Sequence, residues 1–355
     1  MALPTDNRYN VDTAVHHLPQ QNQCAVCKTR QKITVCSGCR VAHYCGAAHQ
    51  NFGWAKHKPL CKAVRGSVER VSQFQADVER VIQTSEGGYQ AYFKSCPPVA
   101  DGFLQCKSIL AMNYIKMGTL AGVLEGLRHC LEVDKLCMSE IVRDVKMKTS
   151  DFIPGLLLRL GWDQECYEYL KEKSNGRLEA IYRCDVQTGI PVRPANPENL
   201  SLAHASMLCV LKLRIIQDLR NLHQADIALG NKLPAEIFSE IRSYLISDAT
   251  RTQPDFMELI EKRLPLPDFT KIFSWDVRNL SCYIDALEPD YWGALQYPAE
   301  YMKMQQMYDY ELPIAAALGQ TFDTWAETHG SFVLFHEVCA AMGRKIGLRD
   351  TFKVR

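Results

Sequence analysis

Between Cys24 and Cys61 the chain reads CAVCKTRQKITVCSGCRVAHYCGAAHQNFGWAKHKPLC, which sets six cysteines and two histidines in four close pairs. The pairs are Cys24/Cys27, Cys36/Cys39, Cys45/His49 and His57/Cys61, with gaps of two, two, three and three residues. A zinc ion takes four soft or borderline donors at a tetrahedral centre, and gaps this short let one turn of backbone supply two of them. Eight donors in four pairs therefore call for two Zn2+ ions. Four protein donors for each ion leave no coordination position for water, so the zinc expected here is structural. A segment this short has too little apolar core to hold itself, and its folding is expected to be coupled to the metal.

The segment can be laid out further. Lys32 to Val35 and Val41 to Tyr44 flank the knuckle Cys36-Ser-Gly-Cys39 and can pair as a short hairpin, with Gly38 suited to a positive φ in its turn. From Gly46 onward the residues are helix-compatible, with His49, Phe52 and Lys56 on one face, and Pro59 is expected to end that helix just before Cys61.

The pattern C-x2-C, C-x2-C-x4-Y-C, a ligand three residues on, then Gln50, Trp54 and H-x3-C closely resembles the MYND zinc finger at all eight ligand positions. The resemblance implies alternating ligands. Cys24, Cys27, Cys45 and His49 would take one zinc, and Cys36, Cys39, His57 and Cys61 the other. The sixth ligand is usually cysteine in this family and here it is His49, a residue equally able to bind zinc through a neutral nitrogen. His43 is an additional candidate two residues before Cys45, expected to point off the hairpin, with a swap for His49 as the minority alternative. In fingers of this family that bind proline-rich peptides, the contact residues correspond to Ser37, Gln50 and Trp54. An extended peptide would add along the hairpin edge and stack its prolines on the Trp54 ring. The alternative for Trp54 is a ring that only packs the finger, and for Ser37 and Gln50 ordinary surface or knuckle hydrogen bonding.

Charge sharpens the picture. No Asp or Glu occurs between Thr13 and Val68, while eight basic residues do: Lys28, Arg30, Lys32, Arg40, Lys56, Lys58, Lys62 and Arg65. The formal net charge is +1, so the rest of the chain is mildly acidic. These cations either balance anionic zinc–thiolate centres or form a surface for an acidic peptide or nucleic acid. Nucleic acid is disfavoured, because there is no interleaved row of aromatics and no basic helix of DNA-reading type.

Beyond Cys61 the chain reads as helices. Val68, Val71, Phe74, Val78 and Val81 mark an amphipathic helix from Val64 to about Thr84, which Glu86-Gly-Gly breaks. Cys96-Pro-Pro closes a short piece, and Leu104–Met117 with Leu120–Leu136 form an expected antiparallel pair turning at Gly118. Ser150-Asp151 is expected to cap a helix ending at Gly161, and Asp163 to cap the next. Asn196-Pro197 should start a helix with Leu208, Leu211, Ile215, Leu219 and Leu222 on one stripe, followed by helices at 234–246, 254–263, 275–287, 298–308, 314–326 and 332–342. The expected organisation is a tail at 1–20, the finger at 21–63, a helical region at 64–184, a Pro-rich linker at 185–198 and a second helical region at 199–355. Phrases such as LLLRLGWDQECYEYL and TWAETHGSF resemble the helical bodies of a large group of fungal MYND-finger proteins, which implies a mainly α fold and supplies no mechanism.

The first twenty residues lack the pattern of a secretion signal, and no apolar run approaches the ~20 residues of a membrane helix. With its nine dispersed cysteines read as buried thiols, the chain is expected to be soluble and intracellular, cytoplasmic or nuclear. The SET-type lysine methyltransferases that carry such fingers are disfavoured, because only 23 residues precede Cys24 and no Asn-His pair occurs. Phosphate-loop, dinucleotide, nucleophile-elbow and zincin motifs are missing as well. His204 with Cys209, His336 with Cys339, and Glu327 and His329 near Trp325 are the residual chemical candidates, each better read as an ordinary helix position. The expectation is a non-catalytic zinc-binding adaptor for a protein partner, with the zinc purely structural; the competing class is an enzyme with an unrecognised site in the helical body.

Overall fold

The computed structural model describes residues 22–82, 97–137, 148–174, 200–230, 266–299 and 313–341, with the single positions 237, 245, 247, 248, 250, 301 and 343. The tail at 1–20, the linker at 185–198 and most of the helices expected at 234–246, 254–263 and 298–308 lie outside the described residues. The described chain is mainly α, with one two-stranded hairpin at the finger. It falls into two compact units, one from Leu18 to Leu156 and one from Leu157 onward.

The first unit begins with strands β1 (Thr34–Val35) and β2 (His43–Tyr44), paired antiparallel with Thr34 opposite Tyr44 and Val35 opposite His43. Helix α1 follows as one element from Ala47 to Ile82. Pro59 does not end it, contrary to expectation. The missing amide hydrogen bond costs about 3 kcal/mol in a helix interior, and the inward face outweighs that cost. His57, Cys61, Val64, Ser67, Val71 and Val78 are all buried and recur at steps of three, four or seven residues, with half-buried Phe74 between the last two, so metal ligands and apolar side chains form one stripe. That stripe packs on α2 (Pro97–Ile115), which starts at Pro97, where a proline is welcome because the first helical amide is unpaired anyway.

A turn at Gly118, with φ +61°, leads into α3 (Leu120–Cys137). A Cβ on Gly122 would lie 2.6 Å from the Tyr114 carbonyl oxygen and one on Gly126 2.5 Å from Ile115 Cγ1, so α2 and α3 approach closely only because both positions are glycine. Asn113 Nδ2 donates to Ser67 Oγ at 2.8 Å, tying α2 to α1. Thr119 Oγ1 donates to the Val41 carbonyl at 2.8 Å, tying the α2–α3 turn to the finger hairpin. A 3-10 turn, Thr149–Phe152, contains Ser150 and Asp151 in place of the expected side-chain cap and runs directly into α4 (Ile153–Leu160).

The second unit is built on α6 (Leu202–Ala228), whose N-cap Ser201 accepts a hydrogen bond from His204 N–H. Every residue from Ala203 to Ile216 is buried, so the expected single stripe understates a helix enclosed on all sides. Packed around it are α5 (Asp163–Lys173), α7 (Leu266–Leu287), α9 (Pro313–Glu327) and α10 (Ser331–Ala341), with a short α8 (Tyr291–Gln296) that sequence periodicity did not show. Asp163 does not cap α5 but is fully buried, and accepts from Arg214 Nη1 at 2.8 Å. Arg214 also donates to the Leu158 carbonyl and to Thr328 Oγ1. Lys212 pairs with Asp276 at 2.7 Å, and Arg159 with Glu327. Lys212 and Arg214 of this buried helix and Arg159 of α4 are therefore matched by carboxylates.

Candidate metal centre

The finger begins with two knuckles of the same construction. In the first, the Lys28 amide donates to the Cys24 carbonyl at 3.0 Å; in the second, the Arg40 amide donates to the Cys36 carbonyl at 2.9 Å. Lys28 and Arg40, each directly after the second cysteine of its knuckle, take φ of 60° and 59°. The positive φ expected at Gly38 falls instead on Arg40. Gly38 is needed for a different reason: a Cβ there would lie 2.7 Å from Cys61 Sγ.

Folding the hairpin against α1 gathers the eight donors into two groups, Cys24, Cys27, Cys45 and His49 in one and Cys36, Cys39, His57 and Cys61 in the other. Within each group the ligand atoms lie within 4.8 Å of one another. A tetrahedral zinc with ordinary bond lengths would set sulfur–sulfur edges at ~3.8 Å and sulfur–nitrogen edges at ~3.6 Å. The edges found are Cys27 to Cys45 at 3.7 Å, Cys36 to Cys61 at 3.8 Å, Cys24 Sγ to His49 Nδ1 at 3.6 Å, Cys36 Sγ to His57 Nε2 at 3.4 Å and Cys39 Sγ to His57 Nε2 at 3.8 Å. Only Cys45 Sγ to His49 Nδ1, at 3.0 Å, is clearly tighter. Donor set and spacing fit two zinc ions. His43 stands outside both groups, half-buried on β2, with its carbonyl accepting from the Ala25 amide.

The electrostatics point the same way. Burial opposes ionisation of Cys24, yet the amides of Cys27, Val26 and Cys45 and the ring of His49 bring its thiol down to about 6. Burial and the neighbouring Cys27 and Cys24 push Cys45 up to about 11, and burial and the Cys39 charge push Cys61 up to about 12. Thiols crowded in this way resist becoming thiolates together, and a dication at the centre supplies the missing charge. Burial lowers His57, which keeps its ring neutral and its Nε2 lone pair available. The second group is buried throughout, whereas Cys27 of the first is exposed.

The three residues singled out for peptide contact converge on the second group. Ser37 is exposed in the knuckle beside Cys36, Gln50 Nε2 donates to Cys36 Sγ at 3.8 Å, and the Trp54 ring lies 5.7 Å from that of His57. Trp54 remains 40% exposed. The contact of Gln50 with a ligand sulfur was not legible in sequence, since nothing in the spacing fixes where an amide side chain turns.

The other chemical candidates are dispersed. His204 and Cys209 are buried in α6; Cys339 is buried on α10 while His336 is exposed. Trp325 is a core residue donating to Ser206 Oγ, Glu327 is engaged by Arg159, and His329 is exposed. Of the dispersed cysteines described, Cys282 is exposed and Cys106 and Cys137 are half-buried, so not all are core thiols as expected. No described helix is long and apolar enough to cross a membrane.

Residues 24–61 match the family model described as the MYND finger, and they form a MYND zinc finger with two zinc sites. Such fingers mediate protein–protein interaction. The same stretch is similar to part of the Rho GTPase-activating protein gacZ of Dictyostelium discoideum, 46% identical over 41 residues, 12% of this chain and 4% of that protein. The chain thus matches only a small part of that relative's length. No solved structure matches the chain.

Proposed function

We propose that this chain is a non-catalytic adaptor whose MYND finger recruits a proline-rich segment of a partner protein, with both zinc ions purely structural. The observation that carries the reading is the convergence of Ser37, Gln50 and Trp54 on the buried second zinc group. The metal fixes the knuckle and the helix that carry them. The outer edge of β2 is taken up by the first knuckle, through Ala25 N–H to the His43 carbonyl, whereas Thr34 and Val35 of β1 are exposed. An extended peptide can add to β1 and lay its prolines near Trp54. Four donors gathered at each zinc leave the ions no open position for chemistry. The similarity to a Rho GTPase-activating protein is confined to the finger, so it brings a finger and not that activity.

The test is affinity capture from a lysate with wild type, Cys36→Ala and Trp54→Ala, with bound zinc counted in each. Partners held through the peptide surface are lost with both variants, and Trp54→Ala keeps its zinc. Unchanged capture by zinc-replete Trp54→Ala would sink the reading.

A further inference from the structure

We infer that the segment recruited by the finger is acidic as well as extended, with carboxylates flanking the part that contacts β1 and Trp54. This rests on the preceding reading and names the charge of its ligand. All eight cations between Lys28 and Arg65 are exposed. Among the described residues none of them hydrogen-bonds a ligand sulfur; the side-chain donor to a zinc thiolate is Gln50. Among the described residues their one carboxylate partner is Glu69, 3.7 Å from Arg65 in an exposed pair. The cations therefore do not neutralise the metal centres by contact, and they are left facing solvent.

Their placement follows the peptide surface. Lys32 precedes β1 and Arg40 ends the knuckle after it, so the two bracket the open strand in sequence. Trp54, Lys58 and Lys62 follow one another at four-residue steps along α1, running from the partly exposed ring beside His57 to two exposed lysines, with exposed Arg65 next to them. Nucleic acid fits this surface less well. The basic part of the helix, Lys56 to Arg65, spans ~14 Å, about four residues of extended peptide and well under the ~34 Å of one DNA turn. Beyond it the exposed charges are mixed, Glu69, Asp77 and Glu79 with Arg70 and Arg80, so the run of positive charge that phosphates would follow ends there.

Three of the cations allow a clean removal of charge. Lys28, Lys32 and Arg40 have φ of 60°, 50° and 59°, a backbone region that glycine occupies more readily. Lys32→Gly and Arg40→Gly therefore delete charge without straining the fold, and Lys58→Gln and Lys62→Gln do so on an exposed helix face. The experiment uses the zinc-loaded full chain and fluorescein-labelled proline-rich peptides flanked either by glutamates or by glutamines, read by fluorescence polarisation. With four or so exposed charge pairs each contributing modestly, the glutamate peptide should bind about tenfold tighter at low salt. The advantage should shrink to about twofold near 1 M salt, where the screening length is ~3 Å. The four-residue variant should lose the preference and keep its zinc, while Trp54→Ala should weaken both peptides alike. Equal binding of the two peptides overturns the acidic assignment and leaves the peptide-recruiting reading standing. Binding of neither overturns both. A labelled DNA duplex bound more tightly than the glutamate peptide overturns the assignment in favour of nucleic acid.

Discussion

Replacing Gly38 by alanine places a methyl group where its ideal Cβ is 2.7 Å from Cys61 Sγ and 3.8 Å from Cys36 Sγ. A relaxed carbon–sulfur contact is roughly 1 Å longer than the first of these. Relief has to come from Cys61, which is 7% exposed and shares its metal group with Cys36, Cys39 and His57. Overpacking of this kind costs about 1–3 kcal/mol, and the smaller unfolded-state freedom of alanine returns about 0.4–1 kcal/mol. The net loss of about 1–2 kcal/mol falls on the second zinc site, where metal binding and folding are one process, and corresponds to roughly five- to thirtyfold weaker zinc binding there. Competition against a chromophoric chelator should resolve two zinc ions in Gly38→Ala, one released early and one at the wild-type position. Arg40→Gly, in the same knuckle, should behave oppositely. It relieves a left-handed backbone costing about 1–2 kcal/mol and gives back about 0.5–1 kcal/mol in unfolded-chain entropy, so zinc retention should be unchanged or better. Equal weakening of both zincs by Gly38→Ala, or loss of zinc on Arg40→Gly, would refute this division of roles within the knuckle.

Two further outcomes test the helical units. Arg214→Met leaves the fully buried Asp163 without its cation and should lower unfolding stability by about 3–5 kcal/mol in urea titration, whereas adding Asp163→Leu should recover part of the loss. His129 is lowered from its ordinary 6.5, by burial and by Arg128, and faces Tyr114 and Lys107 from α2 and Glu125 and Glu132 from α3. The unfolded chain therefore takes up its proton first, so the stability linked to His129 is complete above about pH 6.5 and is lost as pH falls toward the folded value. His129→Asn should flatten that part of the urea-midpoint profile, with zinc in excess throughout; an unchanged slope would remove His129 as its origin.

The contrast between what was legible in the finger and in the body follows from how each is specified. Zinc ligands announce themselves because only Cys and His serve and because backbone geometry fixes their gaps, so the eight donors could be read without any tertiary knowledge. Helix positions such as Leu120–Cys137 and Pro313–Glu327 were also legible, since their apolar periodicity is local. What failed were inferences in which a local rule meets a tertiary demand. Asp163 looks like a helix cap in sequence, but a distant Arg214 makes it an internal counter-ion. The single apolar stripe expected on α6 leaves out Lys212 and Arg214, yet carboxylates brought by α7 and α5 allow these to be buried as well. Gly38 looks like a turn residue, yet the constraint on it comes from Cys61, more than twenty residues away in the chain.

Pro59 is the most instructive of these, because its misreading hides how the finger is held. Taken locally, a proline two residues after His57 and two before Cys61 should separate the last ligand from the helix. In the fold both ligands sit on the inward face of α1, and the next turns of that face carry Val64, Val71 and Val78 into the core shared with Phe103, Leu104 and Tyr114. Breaking the helix at Pro59 would rotate one set out of register with the other. The same continuity sets what lies beside the metal: with His57 and Cys61 turned to it, Lys58 and Lys62 one position on are exposed, and Trp54, three residues before His57, borders that face with its ring 5.7 Å from the His57 ring, on a helix anchored at both its metal and its apolar end. A partner bound there meets a rigid helix face held against α2, so its ordering cost falls mainly on the partner segment.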